Sequence, residues 1–79
     1  MSIYLVIEND SRQGGGVYVR AFDSLHKARK LMNQWFDEDM KDIIERKQNI
    51  VGKSKAKWSC YIETGEGDID IGIEGAEVE

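Results

Sequence analysis

Two apolar periodicities organise the chain. Ile3-Tyr4-Leu5-Val6-Ile7 is a continuous β-rich run closed by Glu8, the pattern of a strand with little exposure on either face, placed centrally in a sheet. Asn9 to Gly16 is polar and ends on three consecutive glycines, which predicts a mobile hairpin connection longer than the preferred two-residue turns. Val17 to Phe22 returns as a second strand. It is antiparallel to the first, because so short a connection leaves no room for a parallel crossover.

The period then changes. Asp23 and Ser24 carry side-chain oxygens able to accept from the unpaired N–H groups of a helix start. Leu25, Ala28, Leu31, Met32, Trp35, Phe36, Met40, Ile43 and Ile44 recur at helical spacing and form one apolar face. Asp37 with Lys41 and Asp42 with Arg46 stand four apart with the acid first, which supports a helix continuing to Lys47. Such a helix is roughly 36 Å long, against roughly 20 Å for a six-residue strand. Three outcomes stay open. The helix breaks at Asp37 to Asp39 and folds back, it lies diagonally on a twisted sheet, or it carries Met40, Ile43 and Ile44 past the sheet as a homodimer contact.

Gln48 to Lys57 holds Gly52 and the alternating Lys53, Lys55 and Lys57, which reads as a solvated loop. Ala56, Trp58, Cys60 and Ile62 alternate with Lys57, Ser59, Tyr61 and Glu63, the period-two pattern of a half-buried strand with Trp58 and Cys60 facing the core. Thr64-Gly65-Glu66-Gly67 is a turn. Beyond it Ile69, Ile71 and Ile73 point inward and Asp68, Asp70 and Glu74 outward, with a bulge predicted at Gly75 because Ala76 and Val78 fall on the opposite parity. The whole predicts an α+β fold, a single antiparallel four-stranded sheet with one long helix on one face, in the order β-β-α-β-β.

Length and composition narrow this further. A chain of 79 residues supports one core and so one domain, 1–79, and an apolar content of 41% argues against global disorder. Cys60 is the single cysteine, so no intramolecular disulfide forms and a reducing cytoplasm is the expected compartment. The first residues lack the basic leader and small-residue cleavage pattern of a signal sequence. No apolar run approaches the roughly 20 residues of a membrane helix, so no membrane association is expected.

Charge is distributed unevenly. Arg46 to Ile62 carries five basic residues and no acid, whereas from Glu63 to Glu79 every charged side chain is acidic. Residues 1–62 therefore carry +3 while the last segment contributes seven acids, a dipole hidden beneath a total of −4. Such asymmetry steers encounters with a charged partner. The acidic hairpin, Glu63, Glu66, Asp68, Asp70 and Glu74 with Tyr61, is the candidate surface for a basic protein. The alternative is nucleic-acid binding through the basic loop, Arg46, Lys47, Lys53, Lys55 and Lys57. Against it, these lysines are expected to pair across the sheet with Glu63, Asp68 and Asp70. Tyr4, Tyr18 and Tyr61 are candidates for an aromatic row on the uncovered sheet face.

No catalytic constellation emerges. His26 and Cys60 have no third residue to orient them, so no enzymatic activity is expected. Asp68-x-Asp70-x-Gly72 matches only part of a calcium loop and alternates like a strand, so neither a metal nor a cofactor is expected. Gly14-Gly15-Gly16 lacks the strand-loop-helix setting of a phosphate loop.

Tyr4-Leu5-Val6-Ile7, the strand Val17 to Phe22, the helix opening Phe22-Asp23-Ser24-Leu25-His26-Lys27-Ala28, and the closing Tyr61-Ile62-Glu63 and Glu77-Val78-Glu79 together resemble small β-β-α-β-β proteins of Gram-positive bacteria and their phages. The resemblance implies a mobile-element setting and carries over no active residues. Small acidic phage proteins that block host defence nucleases are similar in size and charge habit, which makes such an inhibitor the specific functional expectation.

Overall fold

A computed structural model describes residues 2–77. Ser2–Asp10 forms β1, Val17–Phe22 β2, Leu25–Glu45 α1, Ile50–Lys55 β3, Ser59–Thr64 β4 and Gly67–Glu77 β5. The strands make one antiparallel sheet in the order β2-β1-β5-β4-β3. The class is α+β, with five strands where the sequence predicts four. The extra strand is β3. Its Gly52 and lysines disguise it as a loop, because an edge strand is held by backbone pairing to β4 and has no need of an apolar face.

Beginning a strand at Ile50 moves the turn. Lys57 and Trp58 now join β3 to β4, with the Ala56 N–H donating to the Ser59 carbonyl at 2.7 Å. Trp58, expected in the core, is therefore 42% exposed at the hairpin tip, while Cys60 and Ile62 remain buried. The bulge predicted at Gly75 is absent as well. β1 and β5 stay in register from Ser2 opposite Glu77 to Asp10 opposite Ile69. Gly75 keeps the inward parity, and the Tyr4 ring passes within 3.6 Å of the position a Cβ would take. The sheet's irregularity lies in β3, between Ile50 and Gly52. Val78, on which the predicted change of phase also rests, lies outside the described residues.

α1 is continuous through Asp37 to Asp39. Ser24 caps its start by accepting from the Lys27 N–H at 3.4 Å. It ends in a Schellman turn. Lys47 adopts a left-handed φ of 56°, its N–H donates to the Ile44 carbonyl, and the Gln48 N–H donates to that of Ile43. Its 21 residues span about 31 Å, and the 11 residues of β5 span about 36 Å. The helix does not outrun the sheet, because β5 is nearly twice the expected strand length. Ile43 is wholly buried and Met40 packs against the core, so only Ile44 of the expected dimer contact stays on the surface, at 66% exposure.

The core fills the space between α1 and the sheet. Ala28, Met32, Phe36 and Ile43 of α1 meet Val6 of β1, Cys60 and Ile62 of β4, and Ile69, Ile71 and Ile73 of β5. Trp35 packs at its margin. Among the described residues, nothing covers the opposite sheet face.

Candidate functional site

The uncovered face divides into two halves, and strand register decides what each displays. Tyr61 lies opposite Asp70 and Glu63 opposite Asp68, while Glu74 lies opposite Leu5. These share a face, since the alternate positions Cys60, Ile62, Ile69, Ile71 and Ile73 are buried under α1. The other half is apolar. Ile3, Leu5 and Ile7 of β1 alternate with buried Val6, and by pairing they share their face with Ala21, Val19 and Val17 of β2. Val17 and Val19 are 65% and 53% exposed.

The hairpin carrying the acids is rigidly tied. Gly67, at φ +140°, passes so close to Ser11 and Arg12 that a Cβ would sit 3.0 Å from their backbone. Ser11 donates from its N–H and its hydroxyl to the Asp68 carbonyl and accepts from the Asp68 N–H at 2.8 Å. Thr64 Oγ1 closes the turn by donating to the Gly67 carbonyl at 2.6 Å and accepting from the Glu66 N–H.

None of Glu63, Glu66, Asp68, Asp70 and Glu74 takes part in an ion pair among the described residues. The expected cross-sheet pairing with lysines fails for a definite reason. Lys53 lies opposite Ile62 and Lys55 opposite Cys60, which puts both on the helix side of the sheet, and Lys55 Nζ rests 5.0 Å from the Phe36 ring centroid. Partial desolvation, the neighbouring Asp68 carboxylate and the field of Glu63 and Asp70 push the Tyr61 hydroxyl above its ordinary value. The tyrosine row is not formed. Tyr4 and Tyr18 pair with Phe22 and Glu8 at even positions of β1 and β2, on the helix side, so Tyr61 alone faces outward.

The basic candidates are dispersed. Arg46 caps the end of α1 and binds Asp42 at 3.1 Å, Lys47 occupies the left-handed turn, Lys53 and Lys55 sit on β3, and Lys57 offers its carbonyl to Arg29. His26 is exposed, and burial pushes the Cys60 thiol up. No group of three or more His, Cys, Asp or Glu suited to hold a metal occurs among the described residues. Among them, no helix is long and apolar enough to cross a membrane.

A second polar cluster escaped the sequence reading. Arg12, 6% exposed, grips Asp10 through Nε and Nη2 at 2.9 and 2.8 Å, and its Nη1 reaches Asp42 at 3.1 Å and Gln48 at 2.8 Å. Burial pushes Asp10 up, but the hydrogen bonds and charge of Arg12 outweigh it and hold the carboxyl below its ordinary value. Beside this cluster, Glu8 of β1 meets Asp39 of α1. Glu8 Oε1 and Asp39 Oδ2 are buried with no hydrogen-bond partner among the described residues, and a proton held on Glu8 would give the Asp39 carboxylate a donor. Burial first, then the Asp39 hydrogen bond and charge, push Glu8 up to about 9. Asp39 is also raised by burial, though accepting from Glu8 works in the opposite direction. The signal was present in the periodicities. Glu8 keeps the inward parity of Val6, and Asp39 stands seven residues after Met32 and four before Ile43 on the buried helical stripe.

No family model, curated protein or solved structure matches the chain.

Proposed function

We propose that the protein is a non-enzymatic binding module that docks its uncovered sheet face on a basic protein partner. The observation that carries this reading is the adjacency, on one face, of carboxylates without ion-pair partners and an uncovered apolar strip. Leu5, Ile7, Val17 and Val19 supply area for desolvation, while Glu63, Asp70 and Glu74 supply charge that orients the partner and speeds encounter. The module acts by mass action, occupying the partner's cationic surface. A protein that handles nucleic acid presents such a surface, so an inhibitor of a host defence nuclease, encoded by a phage or mobile element, is the specific form of the proposal. A lone buried thiol suits a reducing cytoplasm.

The test is affinity capture from bacterial lysate with the wild type and with a Glu63→Gln, Asp70→Asn, Glu74→Gln variant. Basic proteins should be retained by the wild type, released by raised salt and lost from the variant. Equal capture by the neutralised variant would sink the proposal.

A further inference from the structure

The two edges of the sheet are protected to different degrees. β3 carries a register shift between Ile50 and Gly52 and the charges of Lys53 and Lys55, the usual devices that discourage edge pairing. β2 carries one charge, Arg20, and no irregularity. Its six residues, Val17–Phe22, pair regularly with β1 on one side, and among the described residues nothing pairs with the other. Val17, Tyr18 and Val19 are each at least half exposed. A regular, largely apolar edge of this length is a template for another strand.

The helix side of this edge adds chemical selectivity. A cleft of about 360 Å³ separates β2 from the flank of α1, lined by Arg20, Phe22, Lys27, Lys30, Leu31 and Gln34. Lys27 has an acidic neighbour, Asp23, at 3.3 Å on the exposed surface, whereas Arg20 and Lys30 belong to no ion pair among the described residues. Arg20 lies with its guanidinium carbon 5.8 Å from the Phe22 ring centroid, so the cations surround an apolar floor. Side chains on the helix-facing side of a strand added to β2 would stand beside Tyr18, Arg20 and Phe22, beneath Lys27 and Lys30.

We infer that the β2 edge receives an extended segment of a partner protein by strand addition, and that this segment presents carboxylates at alternate positions to Arg20, Lys27 and Lys30. Backbone hydrogen bonds supply the pairing, and the cationic cleft selects an acidic sequence over a neutral or basic one. The cationic cleft is on the helix side, apart from the acid-lined face; the edge itself shares Val17 and Val19 with the apolar strip of that face, but the inference does not rest on the function proposed for it.

The experiment is an amide NMR titration with two soluble synthetic peptides, one alternating valine with glutamate and the other valine with lysine. The glutamate peptide should shift amides of β2 and of the Lys27 to Gln34 flank. The double variant Arg20→Glu, Lys30→Glu, altered only at exposed positions, should bind it about tenfold more weakly and prefer the lysine peptide instead. Equal affinity for both peptides, or shifts that bypass β2, overturns the inference. So does a peptide-free protein whose sedimentation shows a dimer with β2 amides already protected, since the edge then belongs to a second copy. Identical shifts produced by free glutamate overturn it too, as they would mark a small-anion site without strand addition.

Discussion

Replacing Glu8 by glutamine tests whether the fold holds a proton on Glu8 against Asp39. Glu8 is 7% exposed, its Oε1 has no hydrogen-bond partner among the described residues, and its carboxyl is raised from 4.5 to about 9. Below the unfolded value both states hold the proton, and this group contributes no pH dependence. As pH rises beyond it the unfolded chain releases the proton while the fold retains it. Stability therefore falls with rising pH, by up to about 1.4 kcal/mol per unit, until the folded group itself ionises. From an unfolded value of 4.5, the loss reaches about 3 kcal/mol at pH 7. Glutamine has the shape and charge of the protonated acid and can donate its amide to Asp39, so Glu8→Gln should remove this slope. Urea unfolding across about pH 5 to 9 should show the variant gaining on the wild type steadily as pH rises. Asp10, whose carboxyl is lowered, contributes the opposite slope, but in the acidic range below this window. Parallel pH profiles for the two proteins would refute the proton held on Glu8.

Two further substitutions probe the support of the acidic hairpin. Arg12→Met should cost about 3 to 5 kcal/mol in chemical unfolding, because it strands the Asp10 carboxylate, 9% exposed, without its guanidinium partner; a loss under about 1 kcal/mol would show that the cluster carries little weight. Gly67→Ala should lower stability by more than about 1 kcal/mol and loosen amide protection around Ser11 and Asp68, since it combines a positive φ with a 3.0 Å approach to backbone. Unchanged exchange at Ser11 would count against that contact.

Much of the fold was legible because its elements carry their own periodicity. The stripe from Ala28 to Ile43 required a helix, and the alternation of Ile69, Ile71 and Ile73 with acids required a strand with one wet face. The Ser24 cap is equally local. β3 was not legible, because its stability is held in backbone bonds to β4 and its side chains carry no alternation. Trp58 was misplaced in consequence: once the turn falls on Lys57 and Trp58, an apolar residue has no core to face.

Along the stripe of α1 and the alternation of β5 the sequence alone determined the inward residues, Ala28, Met32, Phe36 and Ile43 with Ile69, Ile71 and Ile73, since burial of apolar area follows the local period. It also determined that acids gather in the last hairpin. Only the tertiary structure decided which face those acids share, that Lys53 and Lys55 are turned away from them, that Ile43 has its partners within the same chain, and that Glu8 and Asp39 meet. Those are outcomes of strand order and register. A shift of one residue exchanges the two faces of a strand, and no pairing between distant segments is encoded in the neighbours of either one.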